Sequence, residues 1–499
     1  MFCQAAVARS RIPFRGPNNL YEEKVGLFMS KRRIVAALLA MLMVAGSAAG
    51  CKPNEAESST PGESSGEVST EPTESQAEEG SYPVVDLDGY EFVVADCLRY
   101  GDYEIPAEGT SLQWDAFWEN KRQVENDLNC TITYNFYDPV SGFDTIFPEL
   151  MAGEKVSDIL FTAFHALGSY INSDMLVDLQ EMPGVNLNAK YWNQAITKAS
   201  TMNGKTWATC NDMQYLDNRV GGMFYNRTLI NKLGLTDPYD LVKNDQWTFD
   251  KFREMALAAT KDNGDGNWTD ADTYGFVGVN LGVNFYFAGG NRVTDVVDGK
   301  MKFTMNTPQS LETINFFQKL RWNDGVFFQL PEGENWMKWH NMFSEGKSLF
   351  LVCTISEAEY LREMEDEFGW VPMPKGPQAT SYAAPIEWNS AVMSILKTNT
   401  DLDKTGPVVE ALAYLGHRIH ESAAEELYEI LLNGDEKSKE MHELTLENQV
   451  FDVYQTNVVP QIVNCFNEVL EAQNNDPAAT IQSNEEAIQI SIDNAFNAG

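Results

Sequence analysis

The sequence has few basic residues for its size. Of its 499 residues, 36 are Lys or Arg and 73 are Asp or Glu, which gives a formal net charge of −37. A protein that binds phosphate backbones needs clustered Lys and Arg. This charge balance therefore argues strongly against nucleic-acid binding, and we expect no nucleic-acid partner.

Cysteine is scarce as well, with seven in the chain and no C-x-x-C pair. Five cysteines fall in the region expected to fold, and they are Cys97, Cys130, Cys210, Cys353 and Cys465. Their wide spacing disfavours a zinc ribbon, a thioredoxin-like site and a disulfide scaffold. We predict that they are small buried hydrophobic residues.

The familiar motifs of hydrolases are missing. The chain has five His, no H-E-x-x-H and no G-x-S-x-G. The E-G-K-S run at 345–348 matches the end of a P-loop, but Asn341 stands where the first Gly is required.

His417 and His420 share one helical face, which we interpret as a surface helix rather than a metal site. Paired carboxylates could suit a glycosidase, but so acidic a chain contains such pairs by chance. We predict no catalytic residues and no resident cofactor.

Long hydrophobic runs are also lacking. The best one, Ile34–Ala45, has 12 residues. As a helix it would span about 18 Å, too short for a hydrocarbon core of about 30 Å. Because Lys31, Arg32 and Arg33 precede it, residues 29–50 are predicted to be a signal peptide. We expect residues 1–28 to be an extension upstream of the true start.

A flexible anchor is predicted after the signal peptide. The A-A-G-C sequence ending at Cys51 resembles a bacterial lipobox, although Ala48 replaces the usual Leu. Residues 52–81 contain eight Glu, seven Ser and no aromatic residue, so they cannot bury enough apolar surface to fold. We therefore expect residues 51–81 to be a lipidated Cys and a disordered acidic tether. Such a protein would sit on the outer face of the cell membrane of a Gram-positive type bacterium.

The rest of the chain has what a folded body needs. Apolar residues make up 43% and aromatic residues 11% of the sequence. Strand-like and helix-like segments alternate from Glu91–Asp96 through Trp114–Leu128 and Cys130–Tyr137 to Asp158–Thr162. This alternation predicts βαβ units and a parallel sheet, an α/β fold. Ligands bind beyond the carboxyl ends of such strands, which makes the loops at 98–101 and 163–168 candidate ligand loops.

Several ordered motifs resemble one family. They are N-G-K-T-W-A at 203–208, F-Y-N-R-T-L-I-N-K-L-G-L at 224–235, W-T-F-D-K-F-R-E-M-A at 247–256, F-S-E-G-K-S-L-F at 343–350 and F-G-W-V-P-M-P-K at 368–375. Together they resemble bacterial extracellular solute-binding protein family 1, from about residue 86 to the C-terminus. The resemblance implies a two-lobed, periplasmic-binding-protein-like fold of type II, with hinge-linked discontinuous lobes and a helical C-terminal region.

The resemblance also implies a division of residues 82–499 and a function. We expect lobe 1 to comprise about 82–210 plus 385–420, and lobe 2 about 211–384 plus part of 421–499. The family supplies ABC importers, chiefly with sugars, so we expect a monomer that passes a carbohydrate to permease subunits. The alternatives are a secreted carbohydrate-processing enzyme and a surface lipoprotein or adhesin without a transport role.

Sugar recognition needs aromatic faces and planar polar groups. The candidate ligand residues on this basis are Phe164, His165, Asp212, Phe285, Tyr286, Trp388 and Asn389. The same residue types also occur as core or surface residues, an alternative that the sequence leaves open. Trp336 and Trp339, three residues apart, are predicted to pack. The stretch 353–356 lacks the Trp that maltose-type members place there, which argues against malto-oligosaccharide specificity.

One loop resembles a calcium site. Asn263, Asp265 and Asp272 match positions 3, 5 and 12 of a calcium loop. Lys261 would then occupy position 1, where its ammonium group repels the ion. We therefore favour a tight Asp/Gly turn and keep calcium as the lesser alternative.

Overall fold

The computed structural model describes residues 81–98, 104–139, 141–214, 216–473 and 476–497. The predicted upstream extension (1–28), signal peptide (29–50), Cys51 and almost all of the tether lie outside these residues, as does most of the loop at 98–101. Among the described residues, every helix is too short or too polar to cross a bilayer.

The strands are numbered in chain order. They are β1 Tyr90–Asp96, β2 Cys130–Phe136, β3 Ile159–Ala163, β4 Thr201–Met202, β5 Lys205–Thr206, β6 Gly221–Asn226, β7 Tyr274–Gly278, β8 Thr294–Val297, β9 Lys300–Phe303, β10 Ser348–Thr354, β11 Phe368–Val371, β12 Ala384–Pro385, β13 Ala391–Ser394 and β14 Gln449–Val450.

The α-helices are numbered in the same way. They are α1 Leu112–Leu128, α2 Gly142–Met151, α3 Leu167–Asn172, α4 Gln194–Ala199, α5 Arg227–Leu233, α6 Pro238–Lys243, α7 Phe249–Ala259, α8 Leu281–Ala288, α9 Pro308–Gln318, α10 Met337–Ser344, α11 Leu402–Glu425, α12 Glu436–Leu446, α13 Pro460–Glu471 and α14 Pro477–Phe496.

The first sheet has the strand order β13-β3-β1-β2. Its strand β1 runs parallel to both β2 and β3, and β13 is antiparallel to β3. The predicted βαβ alternation and parallel sheet are therefore confirmed. We call this sheet and the helices packed on it the first lobe.

Helix α1 shows how sequence positions a helix on this sheet. The hydroxyl of Ser111 accepts the N–H of Trp114 and caps the helix. Buried side chains then recur every fourth residue from Leu112 to Leu128, which gives one face directed inward. Helix α11, far along the chain, packs against this helix.

The second sheet has the order β11-β6-β10-β7, and we call this sheet and its helices the second lobe. Strand β6 is antiparallel to β10 and β11, and β10 is parallel to β7. Gly222 of β6 lies under the buried ring of Trp370, where a Cβ would come within 2.3 Å of the indole. Because a Cβ at position 222 would clash with this indole, the packing of Trp370 requires glycine there.

The chain changes sheets in several extended segments. Thr209 bridges to Met393 beside the first sheet, and Val220 bridges to Ile386 beside the second. Strand β12 also pairs with β14. We call residues 384–390, which lead from β11 to β13, the crossing segment.

The C-terminal helices close the second lobe. Helix α13 packs against α9, and α14 packs against α9 and β9. Ile481, Ile488 and Ile492 of α14 are buried in the same core as the second sheet. All five cysteines that the sequence analysis assigned to the body are free thiols and buried, which confirms that prediction.

Candidate ligand site at the crossing segment

A cavity of about 280 Å³, including space open to solvent, lies where the crossing segment meets the second sheet. Strands β7 and β10 end at its wall, since Asn280 follows β7 and Thr354 ends β10. The carboxyl ends of strands thus contribute to the cavity, as expected for an α/β fold. The lining residues are Gly221, Asn280, Val283, Asn284, Cys353, Thr354, Pro385, Ile386, Glu387 and Trp388.

Trp388 connects the two lobes at this cavity. Its indole is 37% exposed, and its ring N–H donates to Oδ1 of Asn280 in the second lobe at 3.1 Å. The ring of His165, from the first lobe, meets it edge-on with 4.2 Å between ring centroids. An apolar ring with a free face is therefore held in place from both sides.

His165 follows directly after β3 and is fixed by the backbone. Its backbone N–H donates to the carbonyl of Trp388 at 3.1 Å, and that of Phe164 donates to Ser390 at 2.9 Å. Burial lowers the pKa of the His165 imidazole and favours the neutral ring. Its Nδ1 is buried and has no hydrogen-bond partner among the described residues.

Glu387 supplies the charged group of the cavity. Its carboxylate is paired with the guanidinium of Arg219 at 3.2 Å, and only 10% of its side chain is exposed. The side-chain amide of Asn280 donates to the same carboxylate at 3.4 Å. Burial raises the pKa of Glu387, while Arg219 acts in the opposite direction.

Two exposed aromatic rings lie on the second lobe. Trp336 and Tyr360 are each 42% exposed, with ring centroids 5.9 Å apart. The turn that contains Tyr360 packs against the turn that ends at Arg219, and Tyr360 and Arg219 are electrostatic neighbours. Trp339 packs as predicted, and its ring N–H donates to the carbonyl of Phe328 at 3.0 Å. Trp336, by contrast, is exposed, and its three-residue spacing from Trp339 did not indicate this.

Three predicted ligand residues lie in the core. The ring of Phe164 is fully buried and meets Phe451 edge-on at 5.1 Å. Phe285 and Tyr286 are also fully buried, and the Tyr286 hydroxyl bonds to that of Ser310 at 2.8 Å. Helix α8 is buried on nearly all sides, so its neighbouring aromatic rings pack internally. The structure does not bring these three rings to the cavity.

Asp212 lies on a different wall of the first lobe. Its electrostatic neighbours are His420, Asp217 and His417, and burial raises its pKa. His420 of α11 contacts the carboxylate of Asp217 at 2.7 Å. The two histidines of α11 therefore lie near the carboxylates of Asp212 and Asp217, and these contacts are separate from those of Trp388.

Asn389 adjoins Trp388 in the crossing segment. Its side chain is half-buried, and its Oδ1 is buried without a hydrogen-bond partner among the described residues. Asn389 therefore adjoins the cavity in sequence but is not one of its lining residues.

The calcium-like loop forms a series of tight turns. The two carboxylate oxygens of Asp272 accept the backbone N–H groups of Asn263 and Thr269 at 2.8 and 2.6 Å. Asp265 likewise accepts the N–H of Asn267 at 2.7 Å. The oxygens that would bind calcium thus stabilise the turn, in agreement with the favoured interpretation of this loop.

The sequence matches the family model described as bacterial extracellular solute-binding protein over residues 114–416, well over half of the chain. The chain belongs to this family. Among curated proteins, no sequence matches it.

Solved structures show the same fold at low sequence identity. An ABC substrate-binding protein from Listeria monocytogenes in complex with cycloalternan is 13% identical, with a TM-score of 0.56 over 81% of this chain and 99% of that one. The cyclic α-maltosyl-1,6-maltose binding protein from Arthrobacter globiformis is 14% identical, with a TM-score of 0.58 over 81% and 100%. The maltose/maltodextrin-binding domain from Bdellovibrio bacteriovorus bound to maltotriose is 16% identical, with a TM-score of 0.54 over 81% and 99%. The predicted two-lobed fold of type II is therefore confirmed.

This solute-binding protein differs from the maltose-type pattern at the end of β10. Cys353 is 1% exposed there, and the chain turns directly into the short helix Ile355–Leu361. No large ring projects from this strand end. Its aromatic surface comes instead from Trp388, Trp336 and Tyr360.

Proposed function

We propose that this solute-binding protein captures a carbohydrate, a mono- or oligosaccharide, and delivers it to the permease of an ABC importer. The observation that carries the proposal is the position of Trp388, whose half-exposed indole contacts both lobes beside a cavity whose lining includes Asn280 and Glu387. Sugar rings have apolar faces that stack on such an indole. Carboxylate, amide and guanidinium groups are suited to their hydroxyls.

The polar groups at the cavity are matched to hydroxyl recognition. Glu387, which is paired with Arg219, supplies an acceptor, and Asn280 supplies a donor. The three structural neighbours described above carry names or ligands of the oligosaccharide class, which supports the same class here. The binding is non-covalent and calls for no catalytic step.

We infer that the lobes close on the ligand. A ligand that touches both lobes favours the closed form by its difference in affinity between the two forms. The lobes in this proposal comprise about 82–210 plus 385–420, and about 211–384 plus part of 421–499. His165, Trp388 and Asn389 are the proposed contacts on the crossing side, while Asp212 is a peripheral candidate.

The proposal includes the N-terminal anchor. Residues 29–50 would direct export, Cys51 would carry the lipid, and residues up to 81 would tether the body outside the cell. The predicted extension, 1–28, has no part in this scheme. The protein would then act as a monomer on the outer face of the membrane, beside its permease.

Trp388→Ala tests the proposal. We expect at least tenfold weaker binding of the best sugar in a calorimetric panel, about 1.4 kcal/mol, because the stacking face is lost. Trp268→Ala is the matched control, since Trp268 is 54% exposed and lies outside the cavity lining. Equal affinity in both variants would contradict the cavity as the site. Hydrolysis of an oligosaccharide by the protein would favour the enzyme alternative.

A further inference from the structure

Three potential metal ligands converge beside the cavity. They are His340, Cys353 and Glu357, and one ligand atom from each lies within 4.8 Å of the other two. The residues are 1%, 1% and 9% exposed, respectively. Each belongs to a different ligand class, so this is not a chance patch of surface carboxylates.

The second sheet brings these groups together. Cys353 is the next-to-last residue of β10, and Glu357 follows in the short helix Ile355–Leu361. His340 comes from α10, which leads into the same strand, and its Nε2 contacts a carboxylate oxygen of Glu357 directly. A strand end, a helix and a turn thus fix the three side chains by packing.

One polar atom of the cluster is buried without a partner. Nδ1 of His340 has no hydrogen-bond partner among the described residues. The thiol of Cys353 contacts the carbonyl of Leu351 at 3.8 Å and is hydrogen-bonded to the carboxylate of Glu357. The carboxylates of Glu357 and Glu387 both act on this thiol, and a cation bound here would offset their negative charge.

We propose that His340, Cys353 and Glu357 bind a divalent zinc ion at the edge of the cavity. Zinc bonds of about 2.0–2.3 Å to nitrogen, oxygen and thiolate place neighbouring ligand atoms about 3.3–3.7 Å apart. The cluster reaches this geometry by small side-chain shifts, with the ion separating the His340–Glu357 pair. Three protein ligands leave a fourth position for water or another oxygen.

The charge balance is consistent with this ion. A Cys353 thiolate and the Glu357 carboxylate neutralise Zn²⁺, and Arg219 continues to pair with Glu387. Because the thiol must lose its proton, zinc affinity increases as the pH rises. The zinc site goes beyond carbohydrate binding. It shares Cys353 with the cavity lining, but Trp388 is not one of its three ligands, so the two kinds of binding can be tested separately.

The test uses the purified full chain after removal of metal with a chelator. Titration with zinc chloride against a competing chelator is expected to show one tight equivalent. Cobalt chloride should give the visible bands of a tetrahedral site and a thiolate-to-cobalt charge-transfer band. Zinc should also raise the Tm of the wild type, because it binds the folded state.

Two variants decide the assignment. Cys353→Ser should abolish the charge-transfer band, and both Cys353→Ser and Glu357→Gln should weaken zinc at least 100-fold. Cys465→Ser, which changes another buried thiol, should bind like the wild type. Should Cys353→Ser fail to fold, the near-isosteric Glu357→Gln variant decides.

Absence of a tight equivalent in the wild type would overturn the proposal, as would less than a threefold change in folded Cys353→Ser or Glu357→Gln. Sugar binding by Trp388 variants is measured separately. Absence of zinc binding therefore does not contradict the transport proposal, and absence of sugar binding does not contradict the zinc proposal.

Discussion

The two halves of the crossing segment are held in different ways. Ile386 and Glu387 pair through the backbone with Val220 and Arg219, beside the second sheet. One residue later, Trp388 and Ser390 accept backbone hydrogen bonds from the loop that follows β3, in the first lobe. The backbone therefore changes lobes between residues 387 and 388.

The side chain of Trp388 bonds to the opposite lobe from its backbone. Trp388 follows the first lobe by its backbone, yet its indole N–H binds Asn280 of the second lobe. A rotation at the junction would keep the backbone bonds on both sides and break this side-chain bond. The difference teaches that the indole proposed to contact the ligand is joined to the first lobe through its backbone and to the second lobe through its side chain.

The largest expected effect comes from loosening the first lobe at the start of β3. Asp158 is fully buried and accepts bonds from the Tyr90 hydroxyl at 2.6 Å, the Val93 N–H at 2.8 Å and the Thr405 hydroxyl at 3.1 Å. Lys155 pairs with it at 2.9 Å. Asp158→Ala leaves these groups unpaired and should lower the free energy of unfolding by about 3–5 kcal/mol in urea titrations.

The control for this change is Glu91→Ala, which removes an exposed carboxylate from the neighbouring strand β1. It should cost less than about 0.5 kcal/mol. Equal effects of the two variants would mean that the buried carboxylate does not anchor the first lobe.

A smaller effect should come from a third contact between the lobes. Glu426 begins a π-helical turn after α11 and accepts the backbone N–H groups of Leu112 and Gln113, at the start of α1. Burial raises the pKa of Glu426 from 4.5 to about 7. Its contribution to stability is therefore complete below pH 4.5 and is lost as the pH rises through about 7.

Glu426→Gln should remove that part of the pH dependence. Between pH 5 and pH 8 the wild type should lose about 1–3 kcal/mol of unfolding free energy relative to the variant. Glu421→Gln, at an exposed position of α11, is the control and should follow the wild type. Parallel pH curves for the wild type and Glu426→Gln would contradict the assignment.

The smallest effect concerns the second-lobe half of the crossing segment. Arg219→Met removes the partner of Glu387, and since the Arg219 side chain is 39% exposed, we expect a loss of only about 1 kcal/mol in urea unfolding. Arg122→Met breaks a more exposed pair with Glu108 and should cost less. If both cost the same, the backbone bonds of Ile386 and Glu387 hold this half without help from the ion pair.

Local pattern was enough to predict strands β1, β2 and β3 of the first sheet, but not β13. The segments that follow Tyr90 alternate clearly between strand and helix, and the structure has them within about two residues. Trp388 could be placed in a chain crossing because the family motifs bracket it. Its indole bond to Asn280 could not be predicted, because it joins residues that are 108 positions apart.

Elsewhere, the candidate ligand residues could not be predicted correctly where a helix is buried on all sides. Phe285 and Tyr286 lie on a helix with no polar face, so sequence spacing could not distinguish a ligand ring from a core ring. The exposure of Trp336 and Tyr360 depends on how α10 packs beside a distant turn. The cluster of His340, Cys353 and Glu357 has no motif spacing, because its geometry comes from the end of β10.

The position of β13 has a consequence for biosynthesis. This strand completes the first sheet beside β3, although some 230 residues separate the two in sequence. The first lobe therefore cannot finish folding until the chain has been made nearly to the end of α11. Such late pairing is slow, so the first lobe stays incomplete until its last strand has been synthesised.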